Sequence, residues 1–217
     1  MLPPSGVFVA VSGVLALVSS LALGGQAAPY TSLFDGRSLT GWVVENSDGA
    51  NFTVADGVLR VSGPNGWLRS VDQYSNFSLR VEVRFLTDDA DSGLFVRAPG
   101  PASNIFFRGW PANAYQVQVR DMSKNRTTNP LWAGNLYRHR VAAQGDTTFN
   151  SDAALVAVRP TGEWQVFEVD AFDDRLVARI NGVEVLRAGG IVNRSGYIGI
   201  QGETGRLEYR KIELQQR

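Results

Sequence analysis

A short segment in the middle of the chain, residues 115–121, has side chains whose types and spacing could bind a ligand. It reads Tyr-Gln-Val-Gln-Val-Arg-Asp, and polar and apolar residues alternate strictly along it. In an extended strand this alternation places Gln116, Gln118 and Arg120 on one face and the apolar residues on the other. One face is therefore suited to a core. The other is a row of long hydrogen-bonding side chains and predicts a polar ligand.

Aromatic side chains near this segment are of the kind that stack on sugar rings. Trp110 and Tyr137 lie on either side of it in the sequence, and Tyr115 is part of it. Aromatic rings offer a flat apolar face together with a polar group. The alternation assigns Tyr115 to the core, so Trp110 and Tyr137 are the candidates for contact with a ligand.

The elements that must hold these residues are predicted to be strands. Asp56-Gly57 and Asn181-Gly182 are two-residue turn signals between alternating segments, and they predict hairpins. The other predicted strands share apolar alternation or β-branched residues, and they are 78–85, 94–97, 164–169, 197–201 and 207–214. Residues 121–152 lack periodicity and are predicted to form a long loop. About ten strands and no long helical pattern predict an all-β, two-sheet sandwich or jelly roll.

The composition excludes several classes of function. Lysine and arginine together number 21, as do aspartate and glutamate, so nothing favours nucleic acid or an anionic membrane as partner. The chain has no cysteine and one histidine, which excludes disulfides, thiolate zinc sites and multi-histidine metal sites. Any divalent metal would need oxygen ligands, and the acidic run 88–91 is a candidate calcium turn. The alternative for that run is a solvated turn.

The first 28 residues predict a secretory signal peptide. Residues 7–23 carry no charge and are almost wholly apolar or small, and Ala27 and Ala28 suit cleavage. The alternative is an N-terminal membrane anchor, although about 17 residues is short for a membrane span. Asn-x-Ser/Thr sequons stand at Asn51, Asn76, Asn125 and Asn193, in agreement with export. The remaining chain, residues 32–217, is predicted to be one domain.

Eight motifs in order along residues 32–214 resemble one known family, the 3-keto-disaccharide hydrolase domain. The opening SLFDGRSLTGW is similar to the family's LFDGKSLdGW, and YQVQVRD is similar to its YEvQi.D. The other segments that carry the resemblance are DGVL (56–59), YSNFSL (74–79), DSGLFVR (91–97), the block from Trp164 to Asn181-Gly182, GYIGIQ (196–201) and YRKI (209–212). The resemblance implies a secreted domain with the concanavalin A-like lectin/glucanase jelly roll.

The family resemblance also implies a reaction, the cleavage of a glycoside whose sugar carries a ketone at C3. The ketone acidifies the C2 proton, a base removes it, and the anomeric group then leaves by elimination. Such a site needs a base, a donor or a metal for the enolate oxygen, and an acid for the leaving group. Two positions depart from the family pattern. Gln116 stands where the family has glutamate, and Glu203 stands near the place of its histidine.

Candidate residues for this chemistry follow from the reaction. Arg97 is a candidate oxyanion donor, and Asp121 and Glu203 are candidate acid–base groups. His139, between two arginines that would lower its pKa if their charges lie close, is a fourth catalytic candidate. Each has a structural alternative: an ion-paired arginine, a turn carboxylate or a loop histidine. The candidate substrate-binding residues are Gln116, Gln118, Trp110, Tyr137 and Gln201.

Three functional hypotheses remain at this point. The first is a secreted enzyme that cleaves 3-keto-glycosides or 3-keto-disaccharides. The second is a lectin-like module that binds carbohydrate without turnover, because Gln116 cannot titrate as a base. The third is a structural domain with no sugar site. The first two share a carbohydrate as partner.

Overall fold

The computed structural model describes residue 1, residues 28–100, residues 105–123 and residues 132–217. The predicted signal or anchor segment and the sequon at Asn125 therefore lie outside the described residues. Within them the chain forms fifteen strands: β1 Thr31–Ser32, β2 Trp42–Glu45, β3 Phe52–Ala55, β4 Val58–Ser62, β5 Trp67–Tyr74, β6 Phe77–Phe85, β7 Asp91–Ala98, β8 Ala114–Arg120, β9 Leu136–His139, β10 Thr147–Phe149, β11 Gln165–Phe172, β12 Arg175–Ile180, β13 Val183–Ala188, β14 Gly196–Gln201 and β15 Arg206–Gln216.

These strands form two antiparallel sheets that pack as a sandwich. In the described chain one sheet has nine strands in the order β10-β13-β12-β11-β6-β15-β4-β3, with β1 paired to β15. The other has six strands in the order β2-β5-β14-β7-β8-β9. The predicted all-β, two-sheet sandwich is confirmed. So are both turn predictions, because Asp56, Gly57, Asn181 and Gly182 all have positive φ between paired strands.

The main core lies between the sheets and is built from the alternation seen in the sequence. Tyr115, Val117 and Val119 of β8 are fully buried in it. A second, smaller apolar cluster lies on the opposite face of the six-stranded sheet, where Trp67, Phe95 and Trp110 meet. The outer face of this sheet is therefore covered in part and is not a plain solvated surface.

The predicted long loop over residues 121–152 is wrong in part. It contains β9, β10 and the start of a seven-residue helix, α1, over Ser151–Ala157. Asn150 caps this helix by accepting a hydrogen bond at 3.0 Å from the amide of Ala153. One helix of two turns is too short to give a sustained helical period, which is why the sequence pattern did not reveal it. In the described chain no helix is long and apolar enough to cross a membrane.

Candidate functional site

Three glutamines form a continuous hydrogen-bonded row on the outer face of the six-stranded sheet, here called the amide row: Gln116, Gln118 and Gln201. The Nε2 group of Gln116 donates to Gln118 Oε1 at 2.6 Å and to Gln201 Oε1 at 2.9 Å. Gln118 in turn donates to Asp91 Oδ1. All three glutamines are buried. Buried amides that hold one another in fixed positions form a preorganised polar surface.

The register of the sheet explains why these groups meet. Asp91 of β7 pairs with Arg120 of β8, and Gly93 pairs with Gln118. On the other side of β8, Gln116 pairs with Tyr137 of β9. Gly93 leaves the space that the amide row occupies, because a Cβ built there would lie 2.3 Å from Gln116 Nε2. The alternating strand of the sequence is thus the centre of the site.

Two carboxyl groups stand at one end of the amide row, and we call Asp91 and Glu203 the acid pair. The segment after β14 joins β7 at this point, because the backbone groups of Asp91 and Thr204 exchange hydrogen bonds of 2.9 and 3.1 Å. Arg120 Nη1 donates to Asp91 Oδ2 at 2.5 Å. Asp91 is buried and Glu203 is half-buried. Glu203 is therefore the member that a ligand on this face could reach. The outer face along the amide row and the acid pair is called the groove below.

Both carboxyls of the acid pair have raised pKa values. Burial, followed by the charge of Glu203, raises the pKa of Asp91 to about 8, although Arg120 opposes the rise. Burial also raises the pKa of Glu203, against the charges of Arg108 and Arg120. A raised pKa brings a carboxyl closer to the range in which it can both take and give a proton.

An aromatic wall closes the other end of the amide row. His139 is buried there against Phe95, Phe106 and Trp110, with ring centroids 5.3, 4.9 and 6.0 Å away. Its Nδ1 atom has no hydrogen-bond partner among the described residues. Burial lowers the pKa of His139 to about 4. The direction expected from the sequence is correct, but the cause is desolvation and not the flanking arginines.

The substrate-binding candidates Tyr137 and Trp110 lie near the acid pair and in the aromatic wall, respectively. Tyr137 is half-buried, and burial, followed by the nearby charge of Asp91, raises its pKa to about 12, so it stays a neutral O–H donor. Trp110 is buried in the wall and donates its indole N–H to the carbonyl of Gly202 at 3.0 Å. It therefore shapes the groove, and its ring is not free to stack on a sugar.

Residues 105–111 form a loop that lies across this face, here called the covering loop. Its backbone is tied down at two carbonyls: Arg108 accepts from the amide of Gly66 at 2.9 Å, and Gly109 accepts from Asn46 Nδ2 at 2.7 Å. Arg108 and Gly109 both have positive φ, 58° and 80°. The side chain of Arg108 is exposed, and its charge acts on both members of the acid pair.

The structure places Arg97 away from this site. Strict alternation would put Arg97 beside Asp91, Gly93 and Phe95 on the outer face. A bulge prevents this, because Val96 and Arg97 together oppose the single residue Ile198 and Arg97 has φ of 48°.

The fully buried guanidinium of Arg97 instead donates to oxygens of the loops around it. The acceptors are the carbonyls of Ser75, Asp173 and Asn193 and the side-chain oxygen of Asn76, at distances between 2.5 and 3.1 Å. Arg97 joins three loops, and its predicted catalytic placement is corrected.

Asp121 is also placed apart from the amide row. Its carboxylate accepts from the backbone amide of Ser123 at 2.8 Å and from Thr161 Oγ1 at 2.7 Å. This is the strand-end turn that the sequence left as the alternative. The acidic run 88–91 does not converge either: Asp88 accepts from Thr161, Asp89 has φ of 61°, and only Asp91 enters the groove.

The residues around the groove do not fit a divalent metal. Two carboxyl groups reach it, and the described part of the chain contains no group of three or more histidine, cysteine, aspartate or glutamate side chains arranged to hold an ion. Hard cations take six or more oxygen ligands in proteins, with carboxylates prominent among them. No step of a reaction is therefore assigned to a metal.

The three sequon asparagines that the structure describes all use their side chains internally. Asn76 Oδ1 accepts from Arg97 and from the amide of Asp173 at 2.9 Å. Asn193 donates to the carbonyl of Arg97 at 3.1 Å, and Asn51 donates to the carbonyl of Asn65 at 2.9 Å. These contacts account for an asparagine at each of the three positions without glycosylation.

Sequence reasoning missed Asp91 and Arg108 as members of the site. Asp91 could have been found from the motif Asp91-Ser92-Gly93, because its charge is opposite to that of Arg120. Arg108 gave no signal, because a loop arginine is placed by its backbone contacts and not by a sequence pattern.

The comparisons with known proteins give the family and the fold. The sequence profile of the 3-keto-alpha-glucoside-1,2-lyase-like domain matches residues 29–215. The chain belongs to this family. No protein with curated function matches it. The resemblance drawn from the eight motifs is therefore confirmed, and the family domain covers both sheets and the groove.

Solved structures share the fold at low sequence identity. A protein from Parabacteroides distasonis ATCC 8503 for which glycosyl hydrolase activity has been suggested aligns with a TM-score of 0.67 and 19% identity, over 87% of this chain and 100% of its own. A Bacillus subtilis protein with a galectin-like fold gives 0.60 and 16%, over 87% and 98%. The carbohydrate-binding module CBM66 from Bacillus subtilis gives 0.52 and 13%, over 81% and 95%. These likenesses establish the jelly-roll sandwich, and the family makes this a carbohydrate-related domain.

Proposed function

We propose that this domain cleaves 3-keto-glycosides by elimination, with Glu203 of the acid pair as its acid–base group. The observation that carries the proposal is the placement of Asp91 and Glu203 together, with raised pKa values, at the end of the amide row. Elimination from a 3-keto sugar needs a base to take the proton at C2 and an acid to give a proton to the departing oxygen. Family membership supports the choice of substrate class.

Glu203 is the base in this scheme because it is the more accessible carboxyl. It takes the C2 proton, and the electrons of the C2–H bond form the enolate, with its charge on the C3 oxygen. As the ketone re-forms, the electrons move to make the C1=C2 bond and the C1–O bond breaks. The departing oxygen then takes this proton from Glu203, the carboxyl that a ligand can reach, so Glu203 returns to its starting state. Asp91 is held in place beside the site by Gln118 and Arg120.

The groove offers neutral and cationic donors for the enolate oxygen. Arg120 stands beside Asp91, and Tyr137 remains protonated across the accessible pH range. Donors that are held in place before the reaction stabilise developing charge without reorganisation. The amide row would position the site from beneath, because Gln118 donates to Asp91 and is itself held by Gln116.

The test uses a chromogenic substrate, 4-nitrophenyl 3-keto-glucoside, with release of nitrophenol as the signal. We expect turnover by the wild-type chain, and a loss of at least about a hundredfold in kcat for Glu203→Gln, since general acid–base groups contribute roughly 10²–10⁴-fold. Asp56→Asn, at an exposed carboxylate paired with Arg60, is the matched control and should keep full activity. No turnover by the wild-type chain, with or without added divalent metal, would refute the proposal.

One observation favours a second function, carbohydrate binding without turnover. Gln116, at the family's glutamate position, is a neutral amide that donates to Gln118 and Gln201. An amide cannot act as a base, whereas a sugar site that only binds its ligand does not need one. Gln116→Glu separates the two functions: activity that appears only in this variant would identify the natural chain as a binding module.

We also propose that the domain works outside the cytoplasm, on the basis of the apolar segment at residues 7–23. Expression with its native N-terminus, followed by mass determination of the exported protein, tests this. A mature protein that begins near residue 28 or 29 is expected. An uncleaved protein retained in the cytosol would contradict it.

A further inference from the structure

Two exposed arginines border the groove, and each rests on an aromatic ring of the covering loop. The guanidinium of Arg108 lies 5.1 Å from the ring centre of Phe107, and that of Arg140 lies 5.5 Å from Phe106. Both residues have positive φ, 58° and 61°, which non-glycine residues rarely adopt. Backbone strain of this kind persists where the surroundings impose it, and it is concentrated at functional sites.

Neither arginine forms an ion pair within the described part of the chain. Half of the other described arginines do, as Arg60, Arg69, Arg84 and Arg179 illustrate. Arg108 is close enough to the acid pair for its charge to act on both carboxyls, yet it contacts neither of them within ion-pair distance. Two guanidinium groups are thus available at the mouth of the groove.

The charges around the groove do not balance. Arg108, Arg120 and Arg140 contribute three positive charges, and the two carboxyls of the acid pair contribute at most two negative charges. An excess of positive charge at the mouth of a cleft attracts anions and raises their local concentration. A neutral sugar would leave this excess uncompensated.

The covering loop also supplies an apolar surface next to Arg108. Phe107 is 62% exposed, and its ring packs edge-on against Trp110 at 5.7 Å. An exposed phenylalanine anchored on a buried tryptophan is a rigid platform for one face of a sugar ring. The guanidinium beside it can pair with a carboxylate by two parallel hydrogen bonds.

We propose that the groove selects an acidic sugar, a hexuronate, whose carboxylate is bound by Arg108 while its ring rests on Phe107. This inference rests on the proposed function only in taking the groove as a sugar site. It adds a charge to the substrate class and assigns the covering loop as the element that determines specificity. Arg140 acts at longer range, by adding to the positive field at the same edge.

The test compares two probes that differ only at C6, 4-nitrophenyl glucuronide and 4-nitrophenyl glucoside, each used as both anomers. Neither carries a ketone at C3, so binding is measured without elimination. Titrations followed by ¹H–¹⁵N NMR give the two dissociation constants and report on folding in the same spectra. We expect the wild-type chain to bind the glucuronide about five- to tenfold more tightly at low salt, and the preference to shrink as salt is added.

Arg108→Gln should reduce this ratio of the two affinities to near one. Arg187→Gln, at an exposed arginine paired with Glu184 on the other sheet, is the matched control and should keep the preference. Equal affinity for the two probes in the wild-type chain, a preference that survives in Arg108→Gln, or no binding of either probe would each overturn the proposal.

The outcome is separable from that of the elimination proposal. Turnover of a neutral 3-keto-glucoside without any glucuronide preference removes the present inference and leaves the elimination chemistry intact. A glucuronide preference that depends on Arg108, in a chain that turns over neither keto sugar, does the reverse and identifies an acidic-sugar binding module.

Discussion

Replacing Asp91 by asparagine should flatten the dependence of folding stability on pH between pH 6.5 and pH 8. In the folded chain burial raises the pKa of Asp91 from 3.8 to about 8. The folded state therefore holds one proton more than the unfolded state over most of this interval. Stability that depends on a raised pKa is present at low pH and is lost as the pH rises through the folded value.

The magnitude follows from the width of the interval. One pH unit is worth about 1.36 kcal/mol for one proton, so the wild-type free energy of unfolding should fall by about 2 kcal/mol from pH 6.5 to pH 8. Glu203 acts with the same sign, because burial raises its pKa too. His139 acts with the opposite sign, but only between about 4 and 6.5, below this interval. The chosen window therefore isolates the acid pair.

Urea denaturation followed by tryptophan fluorescence, at several pH values between 6.5 and 8, measures the effect. Asp91→Asn should remove most of the slope. Asp56→Asn, an exposed carboxylate, should leave the wild-type slope unchanged. A wild-type stability that stays level or rises over this interval, or an undiminished slope in Asp91→Asn, would refute the raised pKa of the buried Asp91.

Three further predictions concern the surroundings of the groove. His139→Phe should stabilise the chain by about 1–2 kcal/mol at pH 5. The wild-type imidazole is buried with an unpaired Nδ1 atom, and at this pH it takes up a proton when the chain unfolds. Urea denaturation at pH 5 and pH 7.5 should show the gain mainly at the lower pH. Arg97→Met should destabilise the chain by about 3 kcal/mol or more, since buried carbonyls lose a charged donor, with affinity per folded molecule unchanged; a stable variant with impaired sugar binding would show that Arg97 belongs to the site. Gly93→Ala should weaken glucoside binding about tenfold in NMR titrations, because the new Cβ displaces Gln116. Gly189→Ala, where a Cβ meets its nearest neighbour at 3.9 Å, should leave the affinity unchanged. Equal glucoside affinities of Gly93→Ala and the wild-type chain would mean that the position of Gln116 does not matter for sugar binding.

Most of the fold could be predicted from the sequence because its determinants are local. A strand such as β6 buries alternate residues, and the residues Asn181-Gly182 indicate a two-residue hairpin turn. The order of strands in the two sheets was not accessible in this way. It depends on pairings between residues far apart in the chain, such as β6 with β15. The short strands β9 and β10 were missed because three or four residues cannot establish a period.

The site could be predicted only where it follows a strand. Gln116 and Gln118 were found because alternation gives their face directly. Arg97 was misplaced by the same rule, since a single bulge with positive φ reversed its direction. Arg108 lies in a loop whose position depends on contacts with Asn46 and Gly66, more than forty residues away in sequence. Nothing local in the sequence encodes such contacts.

The glutamine at position 116 changes the electrostatics of the whole groove. A glutamate there would place a carboxylate against Gln118 and Gln201. On this face of the sheet, the pair Gly93–Gln118 lies between position 116 and the pair Asp91–Arg120. A third acidic group would compete with Asp91 and Glu203 for the charge of Arg120 and would raise the pKa of both. With Gln116 the amide row carries no carboxyl of its own, and the carboxyls nearest to it are those of the acid pair at its end. Gln116 therefore leaves the charge of Arg120 to Asp91, its ion-pair partner.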